Sequence, residues 1–219
     1  MAIDTVVNQM KIIGFVGLPG SGKGAASQIA RQQGLPVLVM GDIIREEAAK
    51  AGLENTDLNL GKIGTALRAK DGPAAIAKRI MEKARSLGEE VVVVDGLRSK
   101  DEADFFRAHA EEFHLIEVCA PADARLKWLA SRGRPDDPKG RDETDPTDPK
   151  VISSCLEPDR RAAAALEARE CRELSWGMNE AMKSADLKLR NDGSLEDFQR
   201  NVKKLLDVLE ARYGPEKGS

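Results

Sequence analysis

The chain has 219 residues, 32% of them charged and 4% aromatic, with a formal net charge of −3. That length suits one sizeable α/β core rather than two full domains, and the mildly acidic balance argues against extended nucleic-acid binding. No apolar run approaches the roughly 20 residues of a membrane-spanning helix, and the opening "MAIDTVVNQMK" lacks the apolar stretch of a secretory signal.

Five short Val- and Ile-rich runs are predicted as strands: "KIIGFVG" (11–17), "LPVLVMGD" (35–42), "VVVVDG" (91–96), "FHLIEVCA" (113–120) and the weaker "DLKLRND" (186–192). Continuous apolar character marks strands buried on both faces, and charged amphipathic stretches between them read as helices. These fall near 22–33, 43–52, 57–70, 74–87, 100–111, 122–132, 159–183 and 195–212, with Asp57, Ser99 and Ser194 as starting caps, the last aided by Asp197. The expected fold is a three-layer α/β/α domain spanning 1–219 with a five-stranded parallel sheet. An acceptor-side helical insertion covers about 43–88.

"GLPGSGKG" follows the first strand and opens the first helix, the context of a phosphate loop. Glycines let successive N–H groups turn toward an anion at the helix N-terminus. Gly17, Leu18, Pro19, Gly20, Ser21, Gly22, Lys23, Gly24 and Ala25 therefore form the expected nucleotide cradle, with the Lys23 ammonium on the β- and γ-phosphates. Gly24 stands where such loops usually carry the hydroxyl that ligates Mg²⁺. The metal must then be held through water by carboxylates, for which Asp42 and Asp95 lie at strand ends. Ser27, one turn on, reads chiefly as an exposed helix residue.

Arg45 follows the second strand and Arg98 the third, at the sheet edge where open α/β folds bind ligands. A planar guanidinium binds phosphate through two parallel charge-assisted bonds, so this pair is assigned to an anionic acceptor. Arg68 and Arg79 are spare cations on the intervening helices. The proline- and charge-rich stretch 133–154 reads as a mobile surface excursion. Arg132 and Arg134 stand at its start, and Arg169 and Arg172 share a helical face after it; together they make a lid region of about 132–172 that brings charge to the transferring group. Trp176 reads as half-buried packing or a base stack, and His109 and His114 carry no catalytic assignment. Cys119, Cys155 and Cys171 are odd in number and widely spaced, which suits reduced structural thiols in a cytoplasmic protein. The polar end "GPEKGS" reads as a frayed tail.

The motifs carry a resemblance. "GLPGSGKG" resembles the phosphate loop of adenylate kinases, with Ala25 in place of their threonine; "GDIIRE" and "DGLRS" resemble two acceptor-binding elements of that family, with Leu97 in place of a proline. "NDGSLE" resembles the adenine-side loop of dephospho-coenzyme-A kinases, which places Asn191 and Gly193, with Asp192, near a donor base. In this order, and with "SRGRPDDP" and "RELSWG", the chain resembles an archaeal nucleotide kinase family distantly similar to adenylate and dephospho-coenzyme-A kinases. The resemblance implies an ATP- and Mg²⁺-dependent phosphotransferase whose acceptor is a small phosphorylated molecule, with a nucleoside monophosphate first. Two alternatives stand beside it: hydroxyl phosphorylation of dephospho-coenzyme A, with Asp42 as base, and an ATPase assembly factor acting on a protein or ribonucleoprotein partner. Oligomeric state is open.

Overall fold

The computed structural model describes residues 10–132 and 158–213. Strands β1 (Lys11–Val16), β2 (Val37–Val39), β3 (Val91–Leu97), β4 (Glu112–Cys119) and β5 (Leu187–Arg190) form one sheet in the order β2-β3-β1-β4-β5. Every pairing is parallel. Successive strand residues point to opposite faces, and here both faces are covered. Ile12, Val16, Val92 and Val94 pack against α2 (Met40–Lys50), α3 (Asp57–Asp71), α4 (Ala75–Leu87), α5 (Lys100–His109) and α8 (Met178–Lys183). Ile13, Phe15, Val93 and Ile116 pack against α1 (Lys23–Gln32) and α9 (Leu195–Tyr213). Phe198, Val202, Leu206, Leu209 and Tyr213 recur at helical spacing along α9 and give it one continuous buried stripe. The remaining helices are α6 (Ala122–Arg132) and α7 (Pro158–Ser175).

Ser99 caps α5 by accepting from the Glu102 N–H at 3.1 Å, as expected. Ser194 likewise accepts from the Asp197 N–H at 3.1 Å. At α3 the cap is Thr56, whose hydroxyl accepts from Asn59, and Asp57 becomes the first helical residue. Two further boundaries differ from the predicted ones. Strand β2 ends at Val39 and α2 begins at Met40, because β2 is an edge strand that pairs only with β3, over three residues. The helix expected over 159–183 is two helices: Gly177 adopts a left-handed φ of 94°, and its N–H closes α7 on the Leu174 carbonyl at 3.0 Å.

Ser27 is buried, not exposed, on the inner face of α1. Cys119 and Cys171 carry free thiols. The expected mobile excursion over 133–154, Cys155 and the tail at 214–219 lie outside the described residues. No described helix is long and apolar enough to cross a membrane.

Candidate functional site

The cavity lies where the carboxyl ends of β1 and β3 meet the N-terminus of α1. Gly17 leaves β1 with a φ of 149°, and a Cβ there would lie 2.2 Å from the Val118 carbonyl oxygen, so any side chain is excluded. Gly22 is the N-cap of α1 in a left-handed conformation and supplies no side-chain cap, which leaves the first helical N–H groups for another acceptor. A Cβ on Gly22 would meet Asn191 Nδ2 at 2.4 Å. That amide donates to the Ser21 carbonyl at 3.0 Å. Asn191, buried, thus braces the loop and also forms part of the cavity wall beside Gly193.

Lys23 opens α1 and folds back on the loop, donating to the carbonyls of Gly17 at 2.6 Å and Leu18 at 3.1 Å. Burial lowers its pKa to about 8, against the opposing pull of Asp95 and Glu173. Ser21 Oγ is buried with no hydrogen-bond partner among the described residues. A loop with uncapped helix N–H groups, a half-buried lysine and an unsatisfied hydroxyl fits the phosphates of a nucleotide.

Strand β3 contributes the opposite wall. Its register against β1 shifts between Phe15 and Val16, so that Phe15 pairs with Asp95 and Val16 with Leu97. Such irregularities re-aim side chains beside functional sites. Asp95, 9% exposed, and Arg98 then both face the cavity. The Arg98 N–H donates to Glu102 Oε2 at 2.8 Å, while its guanidinium lies 3.3 Å from Glu173. Burial lowers the Arg98 pKa and Glu173 opposes that.

The space enclosed is about 510 Å³ and is lined by Pro19 to Ala25, Arg45, Asp95, Arg98, Arg169 and Glu173, with Trp128, Leu129, Asn191, Gly193 and Leu195 at the other end. Gly17 and Leu18 contribute carbonyls to Lys23 rather than wall. Arg45 lines the cavity, whereas Asp42 does not: it lies on the first turn of α2, exposed, 2.6 Å from Arg45. Asp192 is paired at the surface with Arg190. Arg172 lies in an adjoining narrow cleft between α3 and α7, where it donates to both carboxylate oxygens of Asp57 at 2.7 and 2.8 Å. Arg132 ends α6 with its side chain outside the described residues, as is all of Arg134.

Several functional neighbours escaped the sequence reading. Glu173, 2% exposed, bridges Arg98 and Arg169. Burial would raise its pKa, but Arg98, Arg169 and Lys23 outweigh that and hold it below the usual carboxylate range. Its spacing of four from Arg169 was a readable signal. Arg125, 6% exposed, ties the Pro19 carbonyl at 3.2 Å to Glu170 of α7. Arg68 pairs with the fully buried Glu102 at 2.6 Å and lies 4.4 Å from the Trp176 ring, so both are packing partners under Arg98. Arg79 pairs with Asp71. Trp128, 38% exposed on the cavity rim, is the other aromatic of note.

A five-stranded parallel sheet in this order, with a glycine loop and lysine at its centre, defines a P-loop protein of kinase-like architecture. Residues 16–143 match the family described as AAA domain, and the UPF0200 protein of Methanothrix thermoacetophila is 43% identical over 200 residues, covering 91% of this chain and 98% of that one. The chain belongs to this AAA-domain family and, more narrowly, to the archaeal UPF0200 family. Solved structures share its fold: TT1252 from Thermus thermophilus superposes with a TM-score of 0.54 at 22% identity, covering 91% of this chain and 98% of that one. A gluconokinase from Sinorhizobium meliloti 1021 gives 0.50 at 17% identity, covering 93% and 95%.

Proposed function

We propose that the protein is an ATP- and Mg²⁺-dependent phosphotransferase whose acceptor is a small phosphorylated molecule, a nucleoside monophosphate before others. The observation that carries this reading is that Arg45 and Arg98, from two different strand ends, line the same cavity as the phosphate loop and Lys23. The donor polyphosphate lies along residues 19–25, where helix N–H groups and Lys23 receive it. Trp128 and Leu195, apolar and partly exposed at the far end, flank the donor base with Gly193, and Asn191 keeps the loop in shape. Stacking of this kind discriminates poorly between bases.

Mg²⁺ bound with the nucleotide would neutralise polyphosphate charge. Asp95, a hard oxygen donor on the cavity wall, fits a metal-bound water. Arg45 and Arg98 orient the acceptor phosphate, and Arg169, with Arg132, Arg134 and Arg172 of the proposed lid, adds positive charge around the group in transit. No general base is needed, because an acceptor phosphate oxygen is already ionised and positioning supplies most of the catalysis. Asp42, which hydroxyl transfer would use as its base, faces Arg45 outside the cavity wall, and this favours a phosphate acceptor over dephospho-coenzyme A.

The test is ADP formation from ATP–Mg²⁺ across nucleoside monophosphates, deoxynucleotides and dephospho-coenzyme A, with products identified by mass. One phosphorylated monophosphate, lost in Lys23→Ala, supports the reading. Phosphorylated dephospho-coenzyme A alone moves the assignment to hydroxyl transfer, and hydrolysis without phosphorylated product moves it to an ATP-driven assembly factor.

A further inference from the structure

Cation density at the cavity is high. Lys23, Arg45, Arg98 and Arg169 all line it, and the carboxylates on the same wall are Asp95 and Glu173. Glu173 is the more deeply placed of the two, at 2% exposure. It lies 3.2 Å from Arg169 Nε, its neighbour four residues back on α7, and 3.3 Å from Arg98, which comes from the β3–α5 junction. A pair whose only role is to fasten α7 needs no cavity. Here Arg98, Arg169 and Glu173 all form part of the cavity wall beside the phosphate loop.

Cations withdrawn from water without a counter-charge are destabilising, and three converge here: Arg169, buried, with Lys23 and Arg98, half-buried. We propose that Glu173 is a built-in counter-anion: its carboxylate balances Arg98, Arg169 and Lys23 while no ligand phosphate is present, and it yields Arg98 when a polyphosphate enters. The inference rests on the reading that this cavity takes a polyphosphate. Arg169 shares a helix with Glu173 and stays with it. Arg98 is held from a separate element, which makes it the guanidinium able to change partners. Glu173 is accordingly a positioning residue, and its negative charge works against polyanion affinity while it keeps the empty site folded. Its lowered pKa agrees, since the carboxylate remains charged in its ion pairs.

Glu173→Gln keeps the shape and an acceptor oxygen but removes the charge, and Glu173→Asp keeps the charge. Inorganic tripolyphosphate without metal is the probe, titrated calorimetrically into both variants, the unaltered protein and Lys23→Ala, with thermal unfolding measured at each ligand concentration. In Glu173→Gln the ligand-free protein should melt about 5–10 °C lower. Its tripolyphosphate dissociation constant should fall about tenfold, and saturating ligand should recover most of the lost melting temperature. Glu173→Asp should bind like the unaltered protein.

Equal or weaker binding by Glu173→Gln overturns the inference, and so does Glu173→Asp behaving like Glu173→Gln, which would make the role one of packing. Should Glu173→Gln not fold alone, refolding in tripolyphosphate must rescue it, and failure of that rescue also overturns the inference. An unaltered protein that binds no tripolyphosphate brings down the polyphosphate reading and this inference together. An unaltered protein that binds it without tightening in Glu173→Gln brings down this inference alone.

Discussion

The two ends of the cavity are built by different means. On the proposed donor side, one contiguous stretch from Gly17 to Ala25 forms the loop largely through backbone, with glycines where side chains cannot fit. On the proposed acceptor side, arginines from α2, the β3–α5 junction and α7 converge, and each is partnered by a carboxylate: Arg45 by Asp42, Arg98 and Arg169 by Glu173. Backbone recognition is rigid and set by local sequence. Side-chain recognition by already paired guanidinium groups is adjustable, and partners can be exchanged.

The largest effect expected from breaking this comparison lies on the donor side. Gly17→Ala puts a methyl group 2.2 Å from a backbone oxygen at a left-handed φ, so stability should fall by about 3 kcal/mol or more, read by chemical denaturation, and nucleotide binding should be lost with it. On the acceptor side, Arg98→Lys keeps charge but loses the fork. Acceptor KM should rise about 30-fold and nucleotide KM by a smaller factor, since Arg98 also meets the entering polyphosphate, and Arg45→Lys, whose side chain is slightly more exposed, should cost less.

A pH profile separates the two sides without any substitution. The Lys23 amine titrates near 8 in the folded protein because burial disfavours its charged form, and phosphate favours that form. Below that pH the amine is charged in both states and polyphosphate affinity should be level. Above it, binding must take up a proton, and affinity should drop by up to about tenfold per pH unit. Lys23→Arg should flatten the curve. Stability of the ligand-free protein has the opposite sign: the unfolded lysine, with its ordinary value of 10.5, binds more protons between about 8 and that value, so this residue's contribution to stability should rise with pH across that window. The smallest effect belongs to Asp57→Asn. It removes the carboxylate that Arg172 grips and that also lies 3.5 Å from Arg169, partly exposed pairs worth about 1 kcal/mol or less each, and differential scanning calorimetry should register a drop of about 1–3 °C.

The same division decides what was legible in the sequence. The sheet could be read because strands buried on both faces must be apolar at consecutive positions, as in Val91 to Val94. The phosphate loop could be read because its constraints are steric and local. Asp57 as a cap was misread because the neighbouring Thr56 offers an equally good capping hydroxyl, and one helix over 159–183 because Gly177 ends α7 through a backbone geometry that propensity does not reveal. Glu173 and Glu102 were passed over because a glutamate in a charged helix looks the same whether it faces water or an arginine brought from another element. Asp42 looked like a metal-side carboxylate at a strand end; the early start of α2 turned it outward to Arg45.

Helix α9 runs from Leu195 on the cavity rim to Tyr213, where the sheet begins. There the Tyr213 hydroxyl meets His114 Nδ1 at 2.7 Å, and its carbonyl accepts from Lys11 Nζ at 2.7 Å. The helix is therefore a strut fastened at the foot of β1, some 28 Å long at about 1.5 Å per residue. A fluorescent label or surface tether attached just past Tyr213 would leave the cavity mouth clear, whereas cutting the chain before Tyr213 would release both fastenings at once. The far end of this strut is thus the place from which to hold the molecule while watching its cavity at work.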